Sequence, residues 1–254
     1  MKINGIESSS SIEKTIAVFK QLCKEPYTFK ISELARLTDI NRTTLYRIMN
    51  TLESHGLVIK TESDKAYKLG PMAYQMGAVY LNSFKFNDKI FPILDKISHE
   101  SQESVGIAVR EGDRVISLYE IEIEQPLRMN YKPGLLYPMN RGCYGKCLMA
   151  YHDQSRVKKL LEKSNFDKIC KNTLTNKEDI IKEYEKIRHQ GYVTSDEETF
   201  PLAEGVGIPI SNSDGKVRTC IAISFLKDKN YKHKMENLKN VLLSYKEEIN
   251  KYML

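Results

Sequence analysis

The sequence predicts an α+β protein in two parts, and three observations carry that reading. Before residue 70, apolar residues recur at helical spacing three times and then give way to two short extended runs. Beyond residue 100, strand-like alternation and helical patterns are mixed. Between them Pro71 opens one further helical pattern. The 254 residues are therefore divided into a small helical unit closed by a β-hairpin (residues 1–70), a connector helix (71–84) and an α/β domain (85–254).

The first helix is expected over "SIEKTIAVFKQLCK", with Ser11 as its cap and Ile12, Ile16, Phe19 and Cys23 at helical spacing. Pro26 breaks it. In "FKISELARLTDI" Ser32 is the expected cap of a second, short helix, Glu33 sits in its first turn, and Leu34 and Leu37 face inward. Asn41 caps the third helix, Ile40 is placed to staple onto Leu45, and Gly56 supplies the left-handed stop. "GLVIKT" and "AYKLG", separated by the polar turn "ESDK", form a hairpin.

Pro71, at N1, starts the connector helix, which runs to about Phe84 with Met72, Met76, Val79 and Tyr80 near one face. Asn87 caps a longer helix to about Ser101. "SVGIAVRE" and "RVISLYEIE" make a hairpin across Gly112-Asp113, and "PLRMNYKPGLLYPMNRG" reads as a further extended pair around Pro133-Gly134. "CYGKCLMAYH", "QSRVKKLLEK" and "NKEDIIKEYEKIRHQG" are helical, the last stopped by Gly191. "YVTSDEE" is a strand running into a loop, "GVGIPISNSDGKVRTCIAISF" is a second hairpin, and a Lys-rich amphipathic helix ends the chain with its charge on solvated faces.

Composition narrows the function classes. Apolar content of 41% and charged content of 28% are ordinary for a globular protein, and no run of about 18 apolar residues exists to span a membrane. The first residues, "MKINGIESSSS", lack the apolar core of a secretory signal, so a cytoplasmic location is expected. Five scattered cysteines do not make a disulfide framework. Cys143 and Cys147 could share a helical face, but no further Cys or His stands at metal-ligand spacing, and both read as small buried apolar residues. The net charge is +6; residues 1–83 carry 11 Lys+Arg against 8 Asp+Glu, a mild excess compatible with nucleic acid.

The third helix, "NRTTLYRIMNTLESHG", is the most informative stretch. Leu45, Ile48, Met49 and Leu52 share one arc, and Thr43, Tyr46, Arg47 and Asn50 share the opposite one. Three helices with a tight turn and a trailing hairpin make a winged helix-turn-helix, whose last helix enters the DNA major groove. Arg47 suits a two-point contact to guanine and Asn50 to adenine; Thr43 and Tyr46 can meet thymine methyls or phosphates. Arg42 and Thr44, in the first turn, are candidates for the backbone, as are Lys60, Lys65 and Lys68 of the hairpin. A winged helix that docks protein instead of DNA is the alternative.

"ISELARLTDINRTTLYRIMNTLESHGLVIKTESDKAYKLGPMAYQMG" resembles the DNA-binding domain of the IclR family of bacterial transcriptional regulators. "GKCLMAY", "EKIRHQGYVTSDEE" and "GIPISNSDGKVRTCIAIS" resemble that family's effector domain in order and spacing, so the likeness spans about residues 11–250. The resemblance implies double-stranded DNA as a partner, a GAF-like effector domain, a small organic or aromatic acid as effector, and dimers formed through the N-terminal domains, often assembled into tetramers.

Catalysis is not expected of the second domain. Cys143 and His152 stand about two and a half turns apart on one helix, and the chain shows no phosphate loop, serine elbow or metal motif, so no cofactor or metal is expected. Asp196, Glu197 and Glu198 read as a solvated corner or a helix cap. A sensor pocket fits better: Gly142, Cys143, Tyr144 and Gly145 lie at a loop-to-helix junction whose free amides can hold an anion. By resemblance the other walls come from the loop after "DEE" and the last inner strand. There the chain departs from the family pattern: Ser195 stands where an acidic residue is common, Gly205 where a cysteine is common, and Ala222 in place of the first of two serines, with the second kept as Ser224.

Overall fold

The computed structural model describes residues 10–84, 87–123 and 132–253 and divides into two compact units, Met1–Phe84 and Lys85–Leu254. The first holds α1 (Ser11–Leu22), α2 (Ile31–Thr38), α3 (Arg42–Ser54), the hairpin β1 (Val58–Lys60) and β2 (Tyr67–Leu69), and α4 (Pro71–Asn82). Its core is one cluster in which Val18, Leu22, Leu34, Ile40, Leu45, Ile48, Met49, Leu52, Val58 and Tyr67 are buried together.

Four local expectations are corrected. Ser10, not Ser11, caps α1: its hydroxyl accepts from the Glu13 amide and the Glu13 carboxylate accepts from its own. The inward face of α1 carries Val18 and Leu22, whereas Ile12 and Ile16 are exposed, because the helix meets the core only through its last turns. Lys30, not Ser32, precedes the first turn of α2, and Glu33 closes that end by accepting from the Lys30 amide at 2.7 Å. Leu37 is exposed, since Ile31 and Leu34, with Ala35 beside them, fill the narrow seam under an eight-residue helix. Asn41, Gly56 and Pro71 stand where their cap, stop and N1 roles require.

The hairpin is tied to the helices by more than packing. Phe29 and Tyr67 exchange backbone hydrogen bonds at 3.0 and 2.8 Å, an isolated bridge that pins the chain just before α2 against β2.

The second unit contains α5 (Asn87–Ser101), β3 (Ser104–Glu111), β4 (Arg114–Ile121), β5 (Leu136–Tyr137), α6 (Cys143–Ala150), α7 (Gln154–Lys163), α8 (Lys177–Gln190), β6 (Val193–Asp196), β7 (Ala203–Ser211), β8 (Val217–Leu226) and α9 (Tyr231–Asn250). The described strands form one antiparallel sheet in the order β5-β4-β3-β8-β7-β6, so β8 pairs with β3 across more than a hundred residues of intervening chain. Alternation sends successive side chains to opposite faces. Tyr119 stacks on Phe91 of α5 and Phe225 lies under Lys234 of α9, whereas the neighbouring Glu120 and Ser224 face α6. The first arm of the pair expected around Pro133-Gly134 (126–131) and the Asn87 cap lie outside the described residues.

Candidate functional sites

Asn41 fixes where α3 begins, its side chain accepting from the Thr44 amide at 2.8 Å. From that start the 3.6-residue repeat sorts the helix cleanly: Leu45, Ile48, Met49 and Leu52 are buried, and Arg42, Thr43, Tyr46, Arg47 and Asn50 are exposed, with Thr44 between. Lys60, Lys65 and Lys68 are exposed on the hairpin. The Asn41 carboxamide is spent on the cap, and Thr51 and Ser54, in the later turns, give their hydroxyls to the Arg47 and Thr51 carbonyls at 3.0 and 2.8 Å.

In the second unit a cavity of about 50 Å³ lies between the start of α6 and the sheet, with room for about three to five waters. Register builds its floor: Ser195 of β6 pairs with Gly205 of β7, which pairs with Ser224 of β8, so three separate segments of chain align in one row. Gly142, Cys143, Tyr144, Ser195, Gly205, Ala222 and Ser224 all line it, with Thr199 from the loop after "DEE", and they are joined by Tyr137, Ala203, Glu204 and Ile223, which sequence reasoning did not name. A Cβ at residue 205 would lie 3.0 Å from Cys143 Sγ, so the glycine yields the space that the thiol fills.

Gly145 is not among the lining residues. Its Cβ would fall 1.8 Å from the Pro138 carbonyl oxygen; the glycine lets α6 dock against backbone. The expectation of free amides at this junction is also corrected in part. Gly142, at φ 73°, donates its N–H to Glu198 Oε2 at 2.8 Å, so the chain's own carboxylate occupies that donor. The amides of Cys143 and Tyr144 follow it in the first turn, where no intrahelical acceptor reaches them.

Glu198 is held there by Lys146. This lysine is almost wholly buried, and its Nζ donates to Glu198 Oε1 at 2.6 Å, Glu183 Oε1 at 2.9 Å and the Thr194 carbonyl at 2.7 Å. Burial pulls the ammonium down, but the two carboxylates more than reverse it and its pKa is raised. The signal was present in the sequence: one cation inside the otherwise apolar "CYGKCLMAY" needs a buried partner.

A second acid stands behind the cavity. Glu120 accepts from Tyr144 at 3.2 Å and from Tyr137 at 3.4 Å, and burial pushes its pKa up to about 8. On the opposite sheet face Lys227 pairs with Asp196 at 2.7 Å, Glu204 at 3.0 Å and Glu197 at 3.3 Å. The acidic run is thus divided among a buried cap and one lysine. Among the described residues no group of three or more His, Cys, Asp or Glu side chains is placed to hold a metal, and no helix is long and apolar enough to cross a membrane.

Comparison with known proteins agrees across both units. The family model described as IclR helix-turn-helix domain matches residues 11–62, and that described as bacterial transcriptional regulator IclR C-terminal matches residues 78–251. The HTH-type transcriptional regulator KdgR of Escherichia coli is 24% identical, over 86% of this chain and 83% of its own. The HTH-type transcriptional regulator BhcR of Paracoccus denitrificans is 23% identical, over 76% of this chain and 70% of its own. A solved IclR transcriptional regulator from Alicyclobacillus acidocaldarius superposes with a TM-score of 0.81 at 21% identity, covering 97% of this chain and all of that one. An IclR homologue from Microbacterium hydrocarbonoxydans, solved in complex with 4-hydroxybenzoate, superposes with a TM-score of 0.78 at 16% identity, covering 96% of this chain and 99% of that one. The chain belongs to the IclR family of bacterial transcriptional regulators, which bind DNA through the helix-turn-helix and ligands through the C-terminal domain.

Proposed function

We propose that α3 enters the major groove of an operator and that Arg47 and Asn50 read base edges, with Thr43 and Tyr46 beside them. Arg42, Thr44, Lys60 and Lys65 then follow the phosphates. The observation that carries this reading is the division of α3 itself: every residue of its apolar arc is buried, while the polar arc stays exposed and unspent. Arg47→Ala should cost about 1–3 kcal/mol on the specific site and relax preference at one base pair. A base-by-base affinity scan checks it; unchanged relative preferences at every position would move the reading role to Asn50 and Thr43.

The second unit, a GAF-like domain on this reading, holds a small organic or aromatic acid in the cavity bounded by Gly142–Tyr144, Ser195, Gly205, Ala222 and Ser224. The hydroxyls of Ser195, Thr199 and Ser224 and the first-turn amides of α6 supply donors, and the bound 4-hydroxybenzoate of the Microbacterium relative supports the ligand class. Binding changes operator affinity to the extent that the ligand prefers one of two states. Ser224→Leu, which fills the cavity without touching the Pro138 contact, should abolish the thermal shift given by a confirmed ligand. A full response would place the ligand elsewhere.

The protein acts in the cytoplasm as a homodimer, with a dimer of dimers as the larger assembly. Supporting this, α4 buries none of its residues within the chain, and Met76 and Val79 are 57% and 66% exposed.

A further inference from the structure

The first unit contains a second concavity, of about 260 Å³, between the start of α2, the start of α3 and the hairpin. Lys30, Arg42, Lys60 and Lys65 line it, against a single acid, Asp64. Ser32, released from the capping role expected of it, lines it too. These residues come from three segments, and the fold holds the segments together. The Phe29–Tyr67 bridge fixes Lys30, the next residue, beside the hairpin. Lys60 pairs in register with Tyr67, and its ammonium lies 5.5 Å from the centre of that ring.

Asp64 belongs to the turn. Its Oδ1 accepts from the Thr61 hydroxyl and, at 3.3 Å, from the Ala66 amide. Those bonds and the nearby Lys30 hold its carboxyl below the usual range, so it stays ionised in front of four cations. The concavity is therefore a preassembled basic site with one internal anion in it.

We propose that this cleft seats one backbone phosphate of duplex DNA, with Lys30 and Ser32 as contacts beyond α3 and the hairpin, and that Asp64 weakens the grip. The inference rests on the DNA reading above and adds to it the α2 side of the footprint. A phosphate fixed here would set how deeply α3 sits, because the cleft and the start of α3 share Arg42 and Tyr46.

The test uses the full chain and a labelled duplex of arbitrary sequence about three helical turns long. Anisotropy titrations between about 50 and 200 mM KCl give the slope of log affinity against log salt. Lys30→Gln should lower that slope by about one unit per bound subunit and weaken binding several-fold. Lys20→Gln, an exposed lysine of α1 outside the cleft, should change neither. Asp64→Asn keeps both Oδ1 bonds and removes the charge, so it should bind DNA several-fold more tightly. A wild-type slope in Lys30→Gln, or no gain in Asp64→Asn, with melting curves unchanged, overturns the cleft while leaving the α3 reading intact. Wild type that ignores salt overturns the DNA reading and the cleft with it. Saturable uptake of inorganic phosphate by wild type, lost in Lys30→Gln while the DNA slope stays put, assigns the cleft to a free anion and overturns the proposal.

Discussion

Glu120 is a carboxyl group held far from its ordinary state by burial. With its folded pKa near 8 and an unfolded value near 4.3, it binds more proton in the native state throughout the interval between them. Stability from this group is therefore complete below about pH 4 and is lost as pH rises toward 8. Glu120→Gln keeps an acceptor for one phenol and offers a donor to the other without titrating. Its stability relative to wild type should rise by on the order of a few kcal/mol between pH 5 and pH 8, read from urea melts at each pH. A constant difference would show that the carboxyl ionises as freely as in solution. Lys146 answers to the opposite logic: Lys146→Met leaves Glu198 and Glu183 facing each other without their cation and should cost on the order of 3–5 kcal/mol.

At the level of elements, legibility followed how locally each one is determined. The spans of α3, α7, α8 and both long hairpins could be read from periodicity, a capping Asn and Gly-containing turns, because those signals act within a few residues. The inward face of α1 could not: Ile12, Ile16, Phe19 and Cys23 have helical spacing, but which arc meets the core depends on where α2 and β2 lie, and that arc belongs to Val18 and Leu22. The cavity shows the same division. Its loop-to-helix corner is written in "RGCYG", whereas Tyr137 and Ile223 reach it only through strand register. Gly145 was legible as a special position but for another reason, since α6 docks on Pro138 through it. Gly145→Val should therefore unfold or sharply destabilise the second unit, visible as lost calorimetric cooperativity with no ligand present. By contrast Leu52→Ala, deleting a buried side chain of α3, should cost about 2–5 kcal/mol in the first unit.

For the whole molecule, the helix-turn-helix and the ligand-binding domain are separate compact units, so coupling between them is read as a change in operator affinity when ligand binds. A dimer on a pseudo-palindrome would present two copies of α3 about 34–36 Å apart, one helical turn of DNA. Light scattering at micromolar concentration checks the assembly; a monodisperse monomer would remove the two-fold reading and with it the palindrome.

The pairing of β8 with β3 also orders events during synthesis. The first unit has every strand and helix it needs once residue 84 has left the ribosome, but the sheet of the second has a vacancy at its centre until residues 217–226 emerge. A nascent chain thus passes through a stage in which the groove-reading unit can already be native while its sensor is still open and sticky. Ribosomes stalled before residue 217 should yield fragments whose first unit resists protease while the remainder is digested. In a living cell the ability to grip DNA would then precede, by the seconds needed to translate the last stretch, any ability to answer a ligand.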